Sequence, residues 1–288
     1  MELTTPSVIR ELMSEAGITF RKEFGQNFLI RRDVVERIAD AAAEDEDTMI
    51  LEIGPGIGTL TQKLCERYRK VVAIEIDRGL IPILGKTLAP YGNVTVIEGD
   101  VMKVDLRALI EREAEGRPVA VCANLPYYIT TPILMRLLES HLPLTSVTVM
   151  IQTEVADRLA AAAGSAEYGA ITAVLGYYGR VERLFTVSAG CFLPPPKVSS
   201  AVVRLDLYQT PPAVRSEALL FRVIHAAFAQ RRKTLVNALL GAVSLDKAAI
   251  TELLVSLGHS PTVRGECLST EEFIALSDAI DEKTKRPQ

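Results

Sequence analysis

Between residues 49 and 151 the chain repeats one pattern, in which a short apolar run is followed by a polar turn and a longer stretch with helical spacing. The apolar runs show little alternation, which is typical of strands buried on both faces of a parallel sheet. The predicted strands are Met49–Ile53, Val71–Ile76, Val94–Ile97, Val119–Cys122 and Val147–Ile151. Helices are predicted between them, near residues 59–67, 79–89, 105–114 and 131–139. This order predicts an α/β fold with a doubly wound parallel sheet and right-handed crossovers.

The segments on either side extend the sheet domain. Helical spacing predicts one helix over residues 6–16 and another from Asp33, with Asp33 as its N-cap. The intervening segment Phe20–Leu29 has no clear period and is expected to be an ordered loop. Val181–Val187 and Ala201–Leu207 have β-branched residues and alternation, so they are expected to complete the sheet as an antiparallel pair.

A domain boundary is predicted at Gln209-Thr210-Pro211-Pro212, which has the composition of a linker. Beyond it the strand pattern stops, and segments such as 247–257 and 270–281 have helical spacing. We therefore expect two domains, the sheet domain over residues 1–210 and a small all-helical domain over residues 211–288.

The composition adds constraints to this picture. A hydrophobic share of 48% and a charged share of 24% in 288 residues are those of a globular protein. No apolar run reaches the ~18 residues of a membrane span, and the first residues lack the apolar region of a signal peptide, so we expect a cytoplasmic protein. The cysteines, at positions 65, 122, 191 and 267, are far apart, which argues against a metal site or a disulfide framework. They are interpreted as reduced core residues.

The charge is unevenly distributed. A net charge of −4 argues against a protein that coats nucleic acid through its overall charge. However, no acid occurs between Glu217 and Asp246, and a basic group accumulates near the N-terminus. The basic residues of these two segments are Arg21, Lys22, Arg31, Arg32 and Arg37, and Arg222, Arg231, Arg232 and Lys233. They are either solvated helix faces or contacts for phosphate groups.

Polar residues follow successive predicted strands, where ligands bind in open α/β sheets. The first strand runs into Gly54-Pro55-Gly56-Ile57-Gly58, and glycines let a backbone turn tightly against a ligand. Glu75 lies 21 residues after Gly54, where an acid can accept hydrogen bonds from both hydroxyls of a ribose. Asp100 could accept from an adenine amino group. A dinucleotide site is the rival interpretation, but Thr59 occupies a position that its fingerprint requires to be small.

The second informative stretch is Ala123-Asn124-Leu125-Pro126-Tyr127-Tyr128, directly after the fourth strand. The amino nitrogen of adenine or cytosine is a poor nucleophile because its lone pair is delocalised into the ring. A protein can localise that lone pair by accepting both N–H bonds, here on the Asn124 side-chain oxygen and the Leu125 carbonyl. Pro126 holds the preceding residue extended, and Tyr127 offers a ring on which a base can stack.

Several motifs together resemble the ribosomal RNA adenine N6,N6-dimethyltransferase family, known as KsgA/RsmA in bacteria. The motifs are Gly25-Gln26-Asn27-Phe28-Leu29, Glu52-Ile53-Gly54-Pro55-Gly56-Ile57-Gly58, Glu75-Ile76-Asp77, Gly99-Asp100, Asn124-Leu125-Pro126-Tyr127 and Phe192-Leu193-Pro194-Pro195-Pro196-Lys197-Val198-Ser199-Ser200. The resemblance spans nearly the whole chain. It implies a Rossmann-like class I methyltransferase sheet, S-adenosylmethionine as the methyl donor, and Phe192 facing Tyr127 across the target adenine.

The resemblance also implies the site residues. Those expected to bind the cofactor are Gln26, Asn27, Leu29, Gly54, Gly56, Glu75, Ile76, Asp100, Val101 and Asn124. Those expected at the catalytic site are Asn124, Leu125, Pro126, Tyr127 and Phe192. Contacts with RNA are expected from Arg222, Arg231, Arg232, Lys233 and Lys197. No metal is expected. A departure from many relatives is Glu23, which weakens the case that its loop grips RNA.

The implied reaction is dimethylation of two adjacent adenosines in the 3′-terminal hairpin of 16S rRNA, within an immature 30S subunit. The enzyme is expected to be a monomer. Two alternatives remain at this point. Relatives that confer macrolide resistance methylate large-subunit RNA with similar catalytic residues, although Arg264-Gly265-Glu266 and the long C-terminal part look more like the assembly enzymes. The protein could also act chiefly as a checkpoint in ribosome assembly, with methylation secondary.

Overall fold

The structure is a computed structural model that describes residues 1–18 and 26–285. The chain forms two compact units, the first from Met1–Ala156 and Glu182–Gln209, and the second from Asp157–Val181 and Thr210–Gln288. The predicted loop Phe20–Leu29 lies largely outside the described residues, as do Arg21, Lys22 and Glu23 of the sequence argument.

Nine strands and twelve helices are present in the described residues. The strands are β1 Phe28–Leu29, β2 Met49–Ile53, β3 Lys70–Glu75, β4 Val94–Glu98, β5 Val119–Asn124, β6 Leu144–Gln152, β7 Gly179–Val187, β8 Phe192–Leu193 and β9 Ser200–Leu207. The helices are α1 Pro6–Glu15, α2 Arg32–Asp40, α3 Thr59–Arg67, α4 Ile81–Thr87, α5 Leu106–Glu113, α6 Thr130–Glu139, α7 Thr153–Leu159, α8 Ala170–Tyr178, α9 Glu217–Ala229, α10 Leu235–Leu239, α11 Lys247–Ser256 and α12 Thr270–Lys285. None of these described helices is long and apolar enough to cross a membrane.

Seven strands form one sheet in the order β4-β3-β2-β5-β6-β9-β7, and β1 pairs with β8 in a separate ribbon. Strands β2 to β6 pair in parallel, whereas β9 pairs antiparallel with β6. Each strand predicted from the apolar runs overlaps an observed one, and the predicted α/β fold with a doubly wound sheet is confirmed. Because β2 occupies the middle of the sheet, all of its residues are buried.

Helix α2 packs on this sheet through an apolar stripe, in which Val34, Val35, Ile38 and Ala39 are all buried. The prediction that Asp33 is the N-cap is wrong, because Arg31 occupies that position and Asp33 lies in the first turn. Its carboxylate still favours the start of the helix through the helix dipole, and it accepts a hydrogen bond of 3.0 Å from the Arg31 side chain.

The second unit begins earlier than the predicted boundary at residue 210, because it also takes in Asp157–Val181. Aromatic packing explains this difference. Tyr168 contacts Phe228 and Tyr177 contacts Phe221, in both cases with ring centroids 5.6 Å apart and edge-to-face geometry. Such pairs add about 0.5–1.5 kcal/mol beyond their buried area, and they hold α8 against α9.

One cysteine departs from its predicted place in the core. Cys65, Cys122 and Cys191 are buried and free, but Cys267 is exposed. It ends the short 3₁₀ turn Gly265–Cys267, in which Gly265 is the buried residue.

The Tyr68 hydroxyl joins α3 to the end of α2, and it provides a test of the fold. The hydroxyl lies 2.8 Å from the Ala39 carbonyl and 3.0 Å from the Ala43 amide nitrogen, and the residue is buried. Tyr68→Phe leaves the buried Ala43 amide without its hydrogen-bond partner, whereas the Ala39 carbonyl keeps the amide of Ala42, so we expect the variant to cost about 1–3 kcal/mol in the free energy of unfolding. Urea denaturation followed by circular dichroism measures the change.

Tyr91→Phe is the matched control, because the Tyr91 hydroxyl donates to an exposed carboxylate of Glu66 at 2.9 Å. We expect that variant to stay within about 0.5 kcal/mol of the wild type. Equal losses for the two variants would contradict the interpretation.

Candidate active site

The carboxyl ends of β2, β3 and β5 open into one cavity of the first unit. The structure brings nearly all of the predicted cofactor and catalytic residues together there, although they come from distant parts of the chain. The predicted residues that line the cavity are Gln26, Asn27, Leu29, Gly54, Gly56, Glu75, Ile76, Asn124, Leu125, Pro126, Tyr127 and Phe192. Asp100 and Val101 are not part of its lining.

The glycine turn after β2 requires its glycines. Gly54 and Gly56 have φ angles of +72° and +63°, in the left-handed region that side chains disfavour. A Cβ on Gly56 would lie 3.0 Å from the Phe28 ring, whereas one on Gly54 would meet no atom within 4 Å. The backbone at Gly54 therefore borders open space, which suits close approach of a ligand.

Glu75 is the buried end of β3, and it fastens this turn. Its two carboxylate oxygens accept hydrogen bonds from the Gly56 amide at 3.0 Å and from the Asp77 amide at 2.8 Å. A carboxylate can accept about four hydrogen bonds, so capacity remains for the two hydroxyls of a ribose. Burial raises the pKa of Glu75, and the charge of Asp77 adds to the effect, while the amide hydrogen bonds oppose it.

The N-terminal segment is tied to the same edge of the sheet. The Gln26 side-chain nitrogen donates to Asp77 at 2.8 Å. A second link is made by Asn124, whose side-chain nitrogen donates to the Asn27 carbonyl at 3.3 Å. Because the amide nitrogen is used in this bond, the Asn124 side-chain oxygen is kept as an acceptor. Its predicted role as an acceptor for the amino group of the target base stays a prediction.

The aromatic residues of the site are held by different elements. The Tyr127 hydroxyl lies 2.8 Å from the hydroxyl of Ser200, the first residue of β9, so the ring is fixed against the sheet. Phe192 is buried and pairs with Leu29 in the β1–β8 ribbon. Both rings line the cavity.

Sequence reasoning missed Glu52, which is the fourth of the five residues of the buried strand β2 and lines the cavity. Its side chain is 1% exposed, and its Oε2 has no hydrogen-bond partner in the described part of the chain. Burial, reinforced by the nearby charge of Glu75, raises the pKa of Glu52 to about 8. An acid within an otherwise apolar strand was the signal that could have identified it.

The remaining predicted residues have other contacts. The Asp100 carboxylate accepts a hydrogen bond from the Met102 amide at 2.9 Å, within its own loop. The Val101 carbonyl accepts from the Arg136 side chain at 2.9 Å. Their predicted role in cofactor binding stays a prediction.

The basic residues of the predicted RNA surface fall into two groups. Arg222, Arg232 and Lys233 are exposed in the second unit, and Lys197 is exposed in the first. Arg231 is instead engaged within the second unit: it pairs with Glu266 at 3.2 Å and donates to the carbonyls of Ala166 and Tyr168 at 2.9 and 3.1 Å. The structure therefore gives Arg231 contacts within its own unit, and its predicted contact with RNA stays a prediction.

The parallel sheet, the glycine turn and the acid at the end of β3 define a class I methyltransferase. The profile described as Ribosomal RNA adenine dimethylase matches residues 17–258, and the chain belongs to this family of enzymes. It is 49% identical over 287 residues to Ribosomal RNA small subunit methyltransferase A of Lachnoclostridium phytofermentans, covering 98% of this chain and 99% of that protein. It is 48% identical over 285 residues to the protein of that name in Bacillus cereus, covering 97% of each.

Solved structures agree with this assignment. A dimethyladenosine transferase from Plasmodium falciparum is 26% identical and superposes with a TM-score of 0.77, covering 89% of this chain and 98% of that one. The 23S rRNA methyltransferase ErmE is also 26% identical, with a TM-score of 0.69 and coverage of 88% and 100%. The predicted enzyme class and the Rossmann-like methyltransferase fold are therefore confirmed.

S-adenosylmethionine is the cofactor of this enzyme, and the cavity fits it. The open space beside Gly54 gives room for a ligand backbone, and Glu75 has acceptor capacity for ribose hydroxyls. Two buried polar atoms that line the cavity, Glu52 Oε2 and Thr59 Oγ1, have no partner in the described residues. A ligand that carries hydrogen-bond donors can satisfy both.

The proposed ribose contact can be tested by Glu75→Ala. Hydrogen bonds to a charged group contribute about 1.5–3 kcal/mol each, so we expect the affinity for S-adenosylmethionine to fall at least about tenfold. Isothermal titration calorimetry measures it. Glu98→Ala is the matched control, because Glu98 is aligned with Glu75 in the β3–β4 register but is exposed. Affinities that are equal for the two variants would rule out the ribose contact.

Glu52 predicts a specific dependence of stability on pH. Its pKa is about 8 in the folded protein and near 4.5 in the unfolded chain. Between these values the folded state keeps a proton that the unfolded state has lost, so stability falls as the pH rises from about 4.5 to about 8. Glu52→Gln removes this titration. We expect the Tm of the variant, relative to the wild type, to increase between pH 5 and pH 8.5 in differential scanning fluorimetry.

The neighbouring acid Glu75 is present in both the wild type and Glu52→Gln. Cys65 has a pKa of about 12, which lies above the pH range of the measurement. Any constant effect of the new amide shifts the Tm equally at each pH and leaves the slope unaffected. Parallel curves for the wild type and the variant would show that Glu52 does not titrate in this way.

Proposed function

We propose that this protein transfers methyl groups to the N6 amino groups of two adjacent adenosines in the 3′-terminal hairpin of 16S rRNA, during assembly of the 30S subunit. The observation that carries the proposal is the Asn124–Tyr127 turn, which lines the same cavity as Glu75 and the glycine turn. The similarity to Ribosomal RNA small subunit methyltransferase A of two bacteria over nearly the full length supports the choice of RNA.

S-adenosylmethionine supplies a methyl group on a sulfonium centre, from which a neutral amine can take it. The protein's part is to make the adenine amine nucleophilic. The Asn124 side-chain oxygen and the Leu125 carbonyl accept the two N–H bonds, which directs the lone pair away from the ring. The Asn124–Asn27 bond keeps that oxygen in place. Positioning of this kind, rather than a strong base, supplies most of the rate.

The target base needs a rigid pocket, because one misplaced by about 1 Å reacts far more slowly. Tyr127 and Phe192 provide two rings, of which one is tied to Ser200 and the other to the β1–β8 ribbon. After the first transfer the methylated nitrogen loses one proton to solvent and keeps one N–H, so either acceptor, Asn124 or Leu125, is sufficient to orient it for the second. This accounts for dimethylation at one site.

The RNA is held beyond the pocket by charge. We propose that the exposed cations Lys197, Arg222, Arg232 and Lys233 contact phosphates, and that the second unit serves to orient the RNA. Arg231 contributes to this surface through the placement of its neighbours, since its own side chain is engaged with Glu266. We also propose that the enzyme acts in the cytoplasm as a monomer and without a metal.

The similarities do not favour the large-subunit alternative. The 23S rRNA methyltransferase ErmE is 26% identical to this chain, whereas the small-subunit relatives are 48–49% identical. A checkpoint role in assembly is compatible with the same fold, and it predicts that loss of cofactor binding leaves subunit maturation intact.

The proposal predicts which RNA is labelled. The purified protein is incubated with radiolabelled S-adenosylmethionine and either unmethylated small subunits or large-subunit RNA, and the nucleosides are then identified. We expect dimethyladenosine from small subunits alone. Asn124→Ala should lower the rate about 100-fold, by analogy with the loss of about 10²–10³ in kcat when one aligned hydrogen-bond partner is removed from an oxyanion hole, while Glu98→Ala should leave it unchanged.

Label in large-subunit RNA alone would assign the protein to the alternative branch. The absence of label in both would mean that the site binds its cofactor for another purpose.

A further inference from the structure

Two large hydrophobic residues among the described ones both line the cavity and are exposed, Ile76 at 49% and Tyr128 at 64%. Ile76 follows Glu75 and belongs to the predicted cofactor contacts. Tyr128 has no role in the mechanism derived above. Its ring and hydroxyl make no hydrogen bond or ring contact with the described parts of the chain, so a mostly exposed aromatic face stands at the opening of the site.

The backbone that carries Tyr128 is well fixed. The Ile129 amide donates to the Pro126 carbonyl at 3.2 Å, and the Thr130 hydroxyl donates to the same carbonyl at 3.3 Å. These bonds close a turn between β5 and α6. Tyr127 and Tyr128 are therefore adjacent on a rigid turn. Tyr127 is held to Ser200 and is partly buried, while Tyr128 extends towards solvent.

In the proposed reaction, the RNA loses base stacking that the Tyr128 ring can replace. To enter the cavity, the target adenine has to leave its stack, which costs a few kcal/mol. The base next to it then loses a stacking partner. An aromatic side chain can stack on any base, and such contacts are worth enough to offset part of this cost.

We propose that Tyr128 stacks on the base adjacent to the target adenosine and replaces the stacking that this base loses when the target enters the cavity. The inference rests on the proposed function, and it assigns to Tyr128 a positioning role towards the RNA rather than a contact with the reacting atoms. Because the ring lies on one side of the cavity, it contacts the other target adenosine in one of the two transfers and an outer neighbour in the other transfer.

The test combines a change in the protein with a change in the RNA. Small subunits are reconstituted with 16S rRNA in which one of the two adenosines, or the outer neighbour of either, is an abasic nucleotide. Methylation of the remaining target is measured for the wild type, Tyr128→Leu and Tyr128→Phe. Tyr208→Leu is the matched control, because Tyr208 is an exposed tyrosine of the first unit that does not line the cavity.

On normal RNA we expect Tyr128→Leu to lower kcat/KM about 5-fold to 100-fold. An abasic neighbour on one side of the target should lower the wild-type value to a similar extent and should have little further effect on Tyr128→Leu. Tyr128→Phe keeps the ring and should keep the sensitivity to the neighbouring base. The affinity for S-adenosylmethionine, measured by calorimetry without RNA, should not fall in parallel with kcat/KM among the Tyr128 variants.

The inference would be overturned if Tyr128→Leu and the abasic nucleotide each lowered kcat/KM by the same factor whether or not the other change was present, on both sides of the target. Tyr128→Leu rates equal to those of Tyr208→Leu would also overturn it. If the wild type does not methylate small subunits at all, the proposed function itself is wrong, so the two failures are distinguishable.

Discussion

The Glu75 carboxylate holds the active site together. It is buried at the end of β3, and its oxygens accept the amides of Gly56 in the glycine turn and of Asp77 beyond the strand. Asp77 in turn accepts from Gln26, so the N-terminal segment is connected to the same point. Two segments that are distant in sequence are thus tied to the end of β3, the glycine turn by Glu75 itself and the N-terminal segment through Asp77. The cavity can form only because β3 lies next to β2 in the sheet.

This arrangement places two carboxyl groups in a buried region, and burial is unfavourable for their charged forms. Glu75 reduces the penalty through its two amide donors. Glu52 has an oxygen with no partner in the described residues, and the pKa of its side chain is about 8. In the described part of the chain, a buried polar atom of a cavity-lining residue is therefore left without a hydrogen-bond partner. A ligand that bonds to this atom only in the folded protein would stabilise the fold.

The catalytic edge is built by contacts between elements that are far apart in the chain. Asn124, at the end of β5, is bonded to Asn27, and Tyr127 is bonded to Ser200 at the start of β9. Phe192 is placed by the β1–β8 ribbon. Pro126 makes the turn between Asn124 and Tyr127 stiff, so that the proposed acceptor and the proposed stacking ring keep a fixed relation. In the proposed mechanism, this geometry allows a poor nucleophile to be methylated without a strongly basic group.

The sequence by itself determined the order of strands and helices, since apolar runs with little alternation require burial on both faces. It also identified the glycine turn, Glu75 and Asn124, because polar residues at successive strand ends meet at one edge of a parallel sheet. Other features depended on packing between distant segments. Glu52 lies in an otherwise apolar strand and lines the cavity. Arg231 forms an ion pair with Glu266, and Asp157–Val181 packs in the helical unit through its aromatic residues. Local pattern reports which face of an element is apolar, but only the tertiary structure decides which partner covers that face and which buried polar atom is left without one.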